Sequence, residues 1–108
     1  MVMLLQKIVQ ATNAKIVLSS SWRLQERDRE IVKRELAYYG MTIHDYTPEI
    51  MWRNDEIQTW LNRHPEVENF AILDDDEIAK IDGHFFHTDS DRGLTVQMAN
   101  DIIQFLNS

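Results

Sequence analysis

Apolar positions come in short blocks along this chain, and the spacing within each block predicts the element it forms. Met3, Leu4, Ile8 and Val9 fall near helical spacing, and the polar Thr12 and Asn13 close the block, which predicts a helix over 2–12. Residues 15–18 (KIVL) follow at once as a β-branched apolar run that stops at Ser19, Ser20 and Ser21, the pattern of a buried parallel strand opening into a loop. Leu24, Ile31, Val32, Leu36 and Tyr39 predict an amphipathic helix over 25–39, with Gly40 as its C-terminal cap.

Residues 41–44 read as a second strand, followed by a loop over 45–48. Asn54 or Asp55 can cap a third helix carrying Ile57, Trp60 and Leu61, which Pro65 ends. Residues 70–73 (FAIL) form a third apolar run that meets Asp74, Asp75 and Asp76. Phe85 and Phe86 suggest a short strand, and residues 95–106 a closing helix with Val96, Ala99, Ile102, Ile103 and Leu106 inward.

Helices alternating with short apolar strands, without hairpin dipeptides between them, predict a three-layer α/β/α sandwich with a mostly parallel sheet. Ligands bind such sheets beyond the carboxyl ends of the strands, where this sequence carries SSSWR after one strand and DDDE after another. The chain has 108 residues, which suits a single domain spanning 1–108, and no internal repeat or linker interrupts it.

Composition narrows the function classes. The absence of cysteine excludes disulfides, thiolate nucleophiles and Cys-ligated zinc or iron–sulfur sites. A formal charge of −7 argues against general nucleic-acid binding, which depends on clustered Lys and Arg. Basic residues do gather between 23 and 34, but acidic and amide residues interleave with them as on a solvated helix face. No apolar run approaches the roughly 20 residues of a membrane span, and residues 1–10 turn polar too soon for a signal peptide, so the expected location is cytoplasmic without membrane association.

Consecutive aspartates beyond a buried strand crowd negative charge, and a bound cation relieves it. Asp74 and Asp75 suit a hard cation such as Mg²⁺, which takes one or two carboxylates and completes its shell with water and phosphate. Asp74, Asp75, Asp76 and Glu77 also suit a solvated turn that caps the next segment. Ser19 and Ser20 offer hydroxyls and successive backbone N–H groups to a phosphoryl oxygen, although serines are equally ordinary loop and cap residues. Arg23 and Arg53 each follow a tryptophan near a loop start, where a guanidinium can clamp phosphate or simply lie on the surface. His44, His64, His84 and His87 lack zinc-site neighbourhoods, and Gly83 and Gly93 belong to no phosphate-binding glycine motif.

The run KIVLSSSWR, then Arg53 and EIQTWLNRHP, then FAILDDDE, then HTDSDRGLT before a last helix resembles the haloacid dehalogenase (HAD) phosphatase superfamily. More narrowly, it resembles the small HAD domain of "Swiss-army-knife" RNA repair proteins, over about residues 5–106. The resemblance implies that Ser19 holds the transferring phosphoryl group, with Ser20 as the neighbouring candidate, and that Arg53 neutralises phosphate. It implies that Asp74 and Asp75 serve Mg²⁺, Asp75 directly and Asp74 in support, and it leaves Asp76 unassigned.

The departure from the family pattern concerns the nucleophile. Family members attack phosphate with the first aspartate of a DxD motif after the first core strand, and the second acts as general acid/base. Here the predicted helix starts at the first residues, and the only D-x-D triplets, Asp74–Asp76 and Asp89–Asp91, lie elsewhere in the pattern. The expectation is a domain truncated at its N-terminus that lacks the central strand of the sheet. The strand at 15–18 then pairs with that at 70–73, leaves its edge open, or pairs with a second copy or a strand-supplying partner.

Two functions follow. One is a Mg²⁺-dependent phosphomonoester hydrolase of HAD type, with little turnover by itself, acting on a phosphorylated substrate. The other is a non-catalytic module that binds protein or phosphate, with Trp22, Trp52 and Trp60 as candidate anchors and core packing as the alternative favoured for Trp60. A phospho-receiver-like domain fits poorly, because Asp74 and Asp75 come too late in the chain.

Overall fold

Helix α1 (Val2–Thr12) stops where Asn13 adopts a left-handed backbone, φ 58°. Asn13 N–H still donates to the Val9 carbonyl, and the Thr12 hydroxyl donates to Ile8 O while accepting from Ala14 N–H. This closure turns the chain directly into β1 (Ile16–Leu18), as the block spacing predicts. The structure is a computed structural model, and it describes residues 2–108.

Helix α2 (Glu26–Tyr38) carries Glu26 and Asp28 in its first turn, where the helix dipole favours negative charge. Its other end is a Schellman motif. Gly40, at φ 75°, donates N–H to Ala37 O, and Met41 N–H donates to Leu36 O. Met41 and Leu36, the positions that motif pairs, are both buried. Met41 therefore belongs to the helix stop, and β2 (Ile43–Tyr46) begins two residues later than expected and runs through Asp45 and Tyr46.

Helix α3 (Arg53–Asn62) also starts earlier than expected, with Trp52 at the N-cap position and neither Asn54 nor Asp55 capping it. β3 (Ile72–Asp74) pairs in parallel with β4 (Phe85–His87), with Asp74 opposite His87, so the ladder draws Asp74 into the strand. Helix α4 (Val96–Leu106) is capped by Thr95, whose hydroxyl accepts from Met98 N–H.

Both ladders between strands among the described residues are parallel, as expected of an α/β fold, with one isolated antiparallel bridge between Asp89 and Gly93, but the strands form two sheets. β1 pairs with β2 and β3 with β4. Of the arrangements open to a sheet without its central strand, closure of β1 onto β3 is not made among the described residues, and each of these strands keeps an edge without a ladder partner. Periodicity marks strands but carries no information about which edges meet.

On the β3–β4 sheet the side chains alternate as strand geometry requires. Leu73 and Phe86 pack against Ile8, Ala99 and Ile102 of α1 and α4, whereas Ile72 and Phe85 join Ile57 and Leu61 of α3. Ile16, Val17 and Leu18 of β1 are only half-buried, although the strand is wholly apolar.

Candidate functional site

The loops that follow β1, β2 and β3 leave the carboxyl ends of parallel strands, where α/β folds place their ligands. Between the first two loops lies Arg23, 5% exposed, in a 3₁₀ turn (Ser21–Arg23). Its Nε–H donates to Thr47 O at 2.9 Å, Nη1 to Ser19 O and Ser20 O at 2.8 and 2.9 Å, and Nη2 to Pro48 O at 3.0 Å. Nη2 also meets Oε1 of Glu56 at 2.8 Å, and the other Glu56 oxygen accepts Ile50 N–H. A guanidinium has five N–H donors, and here all are engaged. Arg23 is thus neither the phosphate clamp nor the surface residue that its neighbourhood in the sequence suggests.

Ser19 and Ser20 are half-buried, and neither hydroxyl has a hydrogen-bond partner among the described residues. Their carbonyls face the Arg23 guanidinium. Because a trans peptide sets each carbonyl opposite the next N–H, the Ser20 and Ser21 N–H groups point the other way, and no acceptor among the described residues meets them. At the end of β2 the buried Thr47 offers its carbonyl to Arg23, while its hydroxyl has no partner among the described residues.

Arg53, the first residue of α3, donates from Nη1 to Oδ2 of Asp74 at 2.6 Å. The other Asp74 oxygen accepts Asp76 N–H, and Asp76 in turn accepts Ile78 N–H as the cap of a 3₁₀ turn (Glu77–Ala79). Asp76, which the family resemblance leaves unassigned, is therefore a cap, as the reading of 74–77 as a capping turn expects. Asp75 is exposed, its carbonyl accepts from Nε2 of His87, and its carboxylate enters no hydrogen bond or ion pair among the described residues. It lines an open cavity of about 430 Å³ together with His87, Thr88, Asp89 and Asp91. Asp89 is held below the usual aspartate range by the backbone N–H groups of Arg92 and Asp91.

The structure therefore groups the expected residues into two sets. Arg53, Asp74 and Asp75 cluster at the end of β3, and Ser19 and Ser20 lie in the loop after β1, with no direct hydrogen bond between the sets. The first turn of α3 joins them. Arg53 and Glu56 are three residues apart, hence on one face of the helix, and reach Asp74 and Arg23 respectively. Glu56, 6% exposed, opens the run EIQTWLNRHP but receives no role from the sequence, since an acidic residue in a first helical turn ordinarily serves the dipole from the surface.

The family model for the HAD domain in Swiss Army Knife RNA repair proteins matches residues 1–99. The chain belongs to this family. No significant match is found among curated proteins or among solved structures. Membership places this HAD domain with hydrolases and phosphatases at the level of the family. No helix of the HAD domain is long and apolar enough to cross a membrane, among the described residues. Nor do three or more His, Asp or Glu side chains among them form a metal-holding group.

Proposed function

We propose that this chain is the phosphate- and Mg²⁺-binding portion of a HAD-type phosphomonoester hydrolase. Ser19, Ser20 and Arg53 would receive the phosphoryl group, and Asp75, supported by Asp74, would hold the metal. The observation that carries this reading is the Arg53–Asp74 pair, which puts a guanidinium and a carboxylate together at the carboxyl end of β3, with the free carboxylate of Asp75 next in sequence. A planar guanidinium with donors to spare suits phosphate oxygens, and among the described residues Arg53 engages only one carboxylate.

The donor set fits Mg²⁺ as an all-oxygen site with few protein ligands, since this ion keeps several waters and takes one or two carboxylates. When bound, Mg²⁺ would supply charge neutralisation to the transferring phosphoryl group. Arg53 keeps the Asp74 carboxylate oriented and compensates its charge, while the Ser20 and Ser21 N–H groups offer donors to phosphate oxygens.

Residues 1–18 contain no Asp or Glu, so the attacking carboxylate would come from outside the 108 residues, on a strand lying between β1 and β3. Such a strand, from a strand-supplying partner, would join the two sheets into the single sheet of a three-layer sandwich. The half-burial of the apolar β1 supports this, because a strand of that composition is ordinarily covered on all sides. The proposed setting is the cytoplasm, with a phosphorylated substrate.

A second reading, a non-catalytic phosphate- or protein-binding module, draws on the exposed Trp22 and Trp52 in the loops after β1 and β2, 47% and 53% exposed. Trp60 is buried and belongs to the core. The test is hydrolysis of an aryl phosphate with Mg²⁺ beside an Asp75→Asn control, together with Mg²⁺ and inorganic phosphate titrations. Binding without turnover is expected. Turnover by the chain alone, lost in Asp75→Asn, would put the attacking carboxylate within these residues and keep Asp75 as the metal holder, and absence of both phosphate and Mg²⁺ binding would overturn the reading.

A further inference from the structure

The buried Arg23–Glu56 pair is unusual as a stabilising device. Removing two charges from water is costly, and apolar residues of similar volume often stabilise a fold as well or better. What apolar residues cannot supply is the five-way fork. Arg23 gathers carbonyls from two loops, after β1 and after β2, and a carboxylate from α3. Lysine, with three donors on a flexible stem, could not reproduce that planar set. The Arg29 side chain in turn donates to Arg23 O at 2.7 Å, tying the 3₁₀ turn to α2.

We propose that Arg23 is a positioning residue for the phosphate site, and that it acts by holding the Ser19 and Ser20 carbonyls on one side of their loop. The two peptide planes then present the N–H groups of Ser20 and Ser21 on the opposite side, successive and without a partner among the described residues. Through Glu56, Arg23 also sets that loop against the first turn of α3, which carries Arg53 toward Asp74. The inference rests on the phosphate reading above and assigns its geometry to a residue that does not itself touch the ligand.

The experiment is a titration of the full 108-residue chain with inorganic phosphate in the presence of Mg²⁺, followed by amide nitrogen–proton NMR. In the wild type, the Ser20 and Ser21 amide resonances are expected to move. The Arg23→Met/Glu56→Leu double variant replaces the pair by apolar groups, and Arg23→Lys keeps the charge without the fork. Both are expected to lose the Ser20 and Ser21 shifts and to bind phosphate about tenfold more weakly or worse, as loss of a charge-assisted hydrogen bond implies. Ile102→Val, in the core away from the site, should lower the melting temperature while leaving phosphate affinity unchanged.

Wild-type affinity and shifts in either folded Arg23 variant would overturn the positioning role while leaving the phosphate reading intact. A wild-type chain whose spectrum ignores phosphate would overturn both. Should the double variant fail to fold, Arg23→Lys decides the matter alone, and the Ile102→Val control separates a loss of affinity from a loss of stability.

Discussion

Arg53 and Asp74, twenty-one residues apart in sequence, meet at 2.6 Å and tie the start of α3 to the end of β3. The carboxylate is nearly buried and the guanidinium about three-quarters so. Truncating one partner strands the other. Arg53→Met is expected to destabilise the chain by about 1–3 kcal/mol, the cost of an unsatisfied charged acceptor, and to weaken phosphate binding as well. Urea denaturation and phosphate titration of the same variant check both.

Trp60 fills the core and also donates Nε1–H to Oδ2 of Asp45 at 2.8 Å, with His64 stacked on its ring at 3.9 Å between centroids. Trp60→Phe keeps most of the packing and removes the donor, so a loss of about 1–2 kcal/mol is expected. Trp60→Ala should cost about 3–5 kcal/mol, because it adds a cavity. Denaturant midpoints of the two variants separate hydrogen bond from volume.

Asp45 is held below its ordinary value of 3.8, first by the Trp60 hydrogen bond, then by the N–H of Tyr46. A depressed folded-state value means that the contribution of Asp45 to stability is complete above the unfolded value and lost as pH falls through the folded one. Asp45→Asn should therefore narrow the stability gap between pH 6 and pH 3 relative to wild type. Melting temperatures across that range test it, and an unchanged gap would show that Asp45 contributes nothing to acid sensitivity.

Mg²⁺ bound at Asp75 should raise the melting temperature of the wild type, since a ligand at about 100 times its dissociation constant adds about 2.7 kcal/mol. Asp75→Asn should abolish that rise without lowering stability in metal-free buffer, because the Asp75 carboxylate has no partner among the described residues. Differential scanning fluorimetry with and without Mg²⁺ gives the answer.

Gly40 closes α2 at φ 75°, and a Cβ added there would meet no atom within 4 Å. Any penalty for Gly40→Ala is thus a backbone penalty, expected at about 1–2 kcal/mol. Gly40→Asn should cost less, because asparagine tolerates the left-handed region. The order of the two melting temperatures is the check.

Helix identity and chain order were legible because side-chain period is a local property, and α1, α2 and α4 lie within a residue or so of their expected bounds. The start of β2 was not, because Met41 is claimed by a motif completed through a hydrogen bond to Leu36. Arg23 was misread for a different reason. Its burial depends on acceptors at 19, 20, 47, 48 and 56, and no pattern in the sequence announces that these converge. Arg53 and Asp74 were singled out together and prove to be bonded, whereas Ser19 and Ser20 connect to them only through α3.

The open edges of β1 and β3 also govern how the molecule behaves in a crowd of its own kind. An uncovered row of backbone donors and acceptors is a template for edge-to-edge association, tempered here because each of these strands is only three residues long. A charge of −7 keeps neighbouring molecules apart at neutral pH and low salt. Concentrated salt or mild acid removes that repulsion while leaving the edges in place, so solubility should be lost under conditions that leave the fold itself intact.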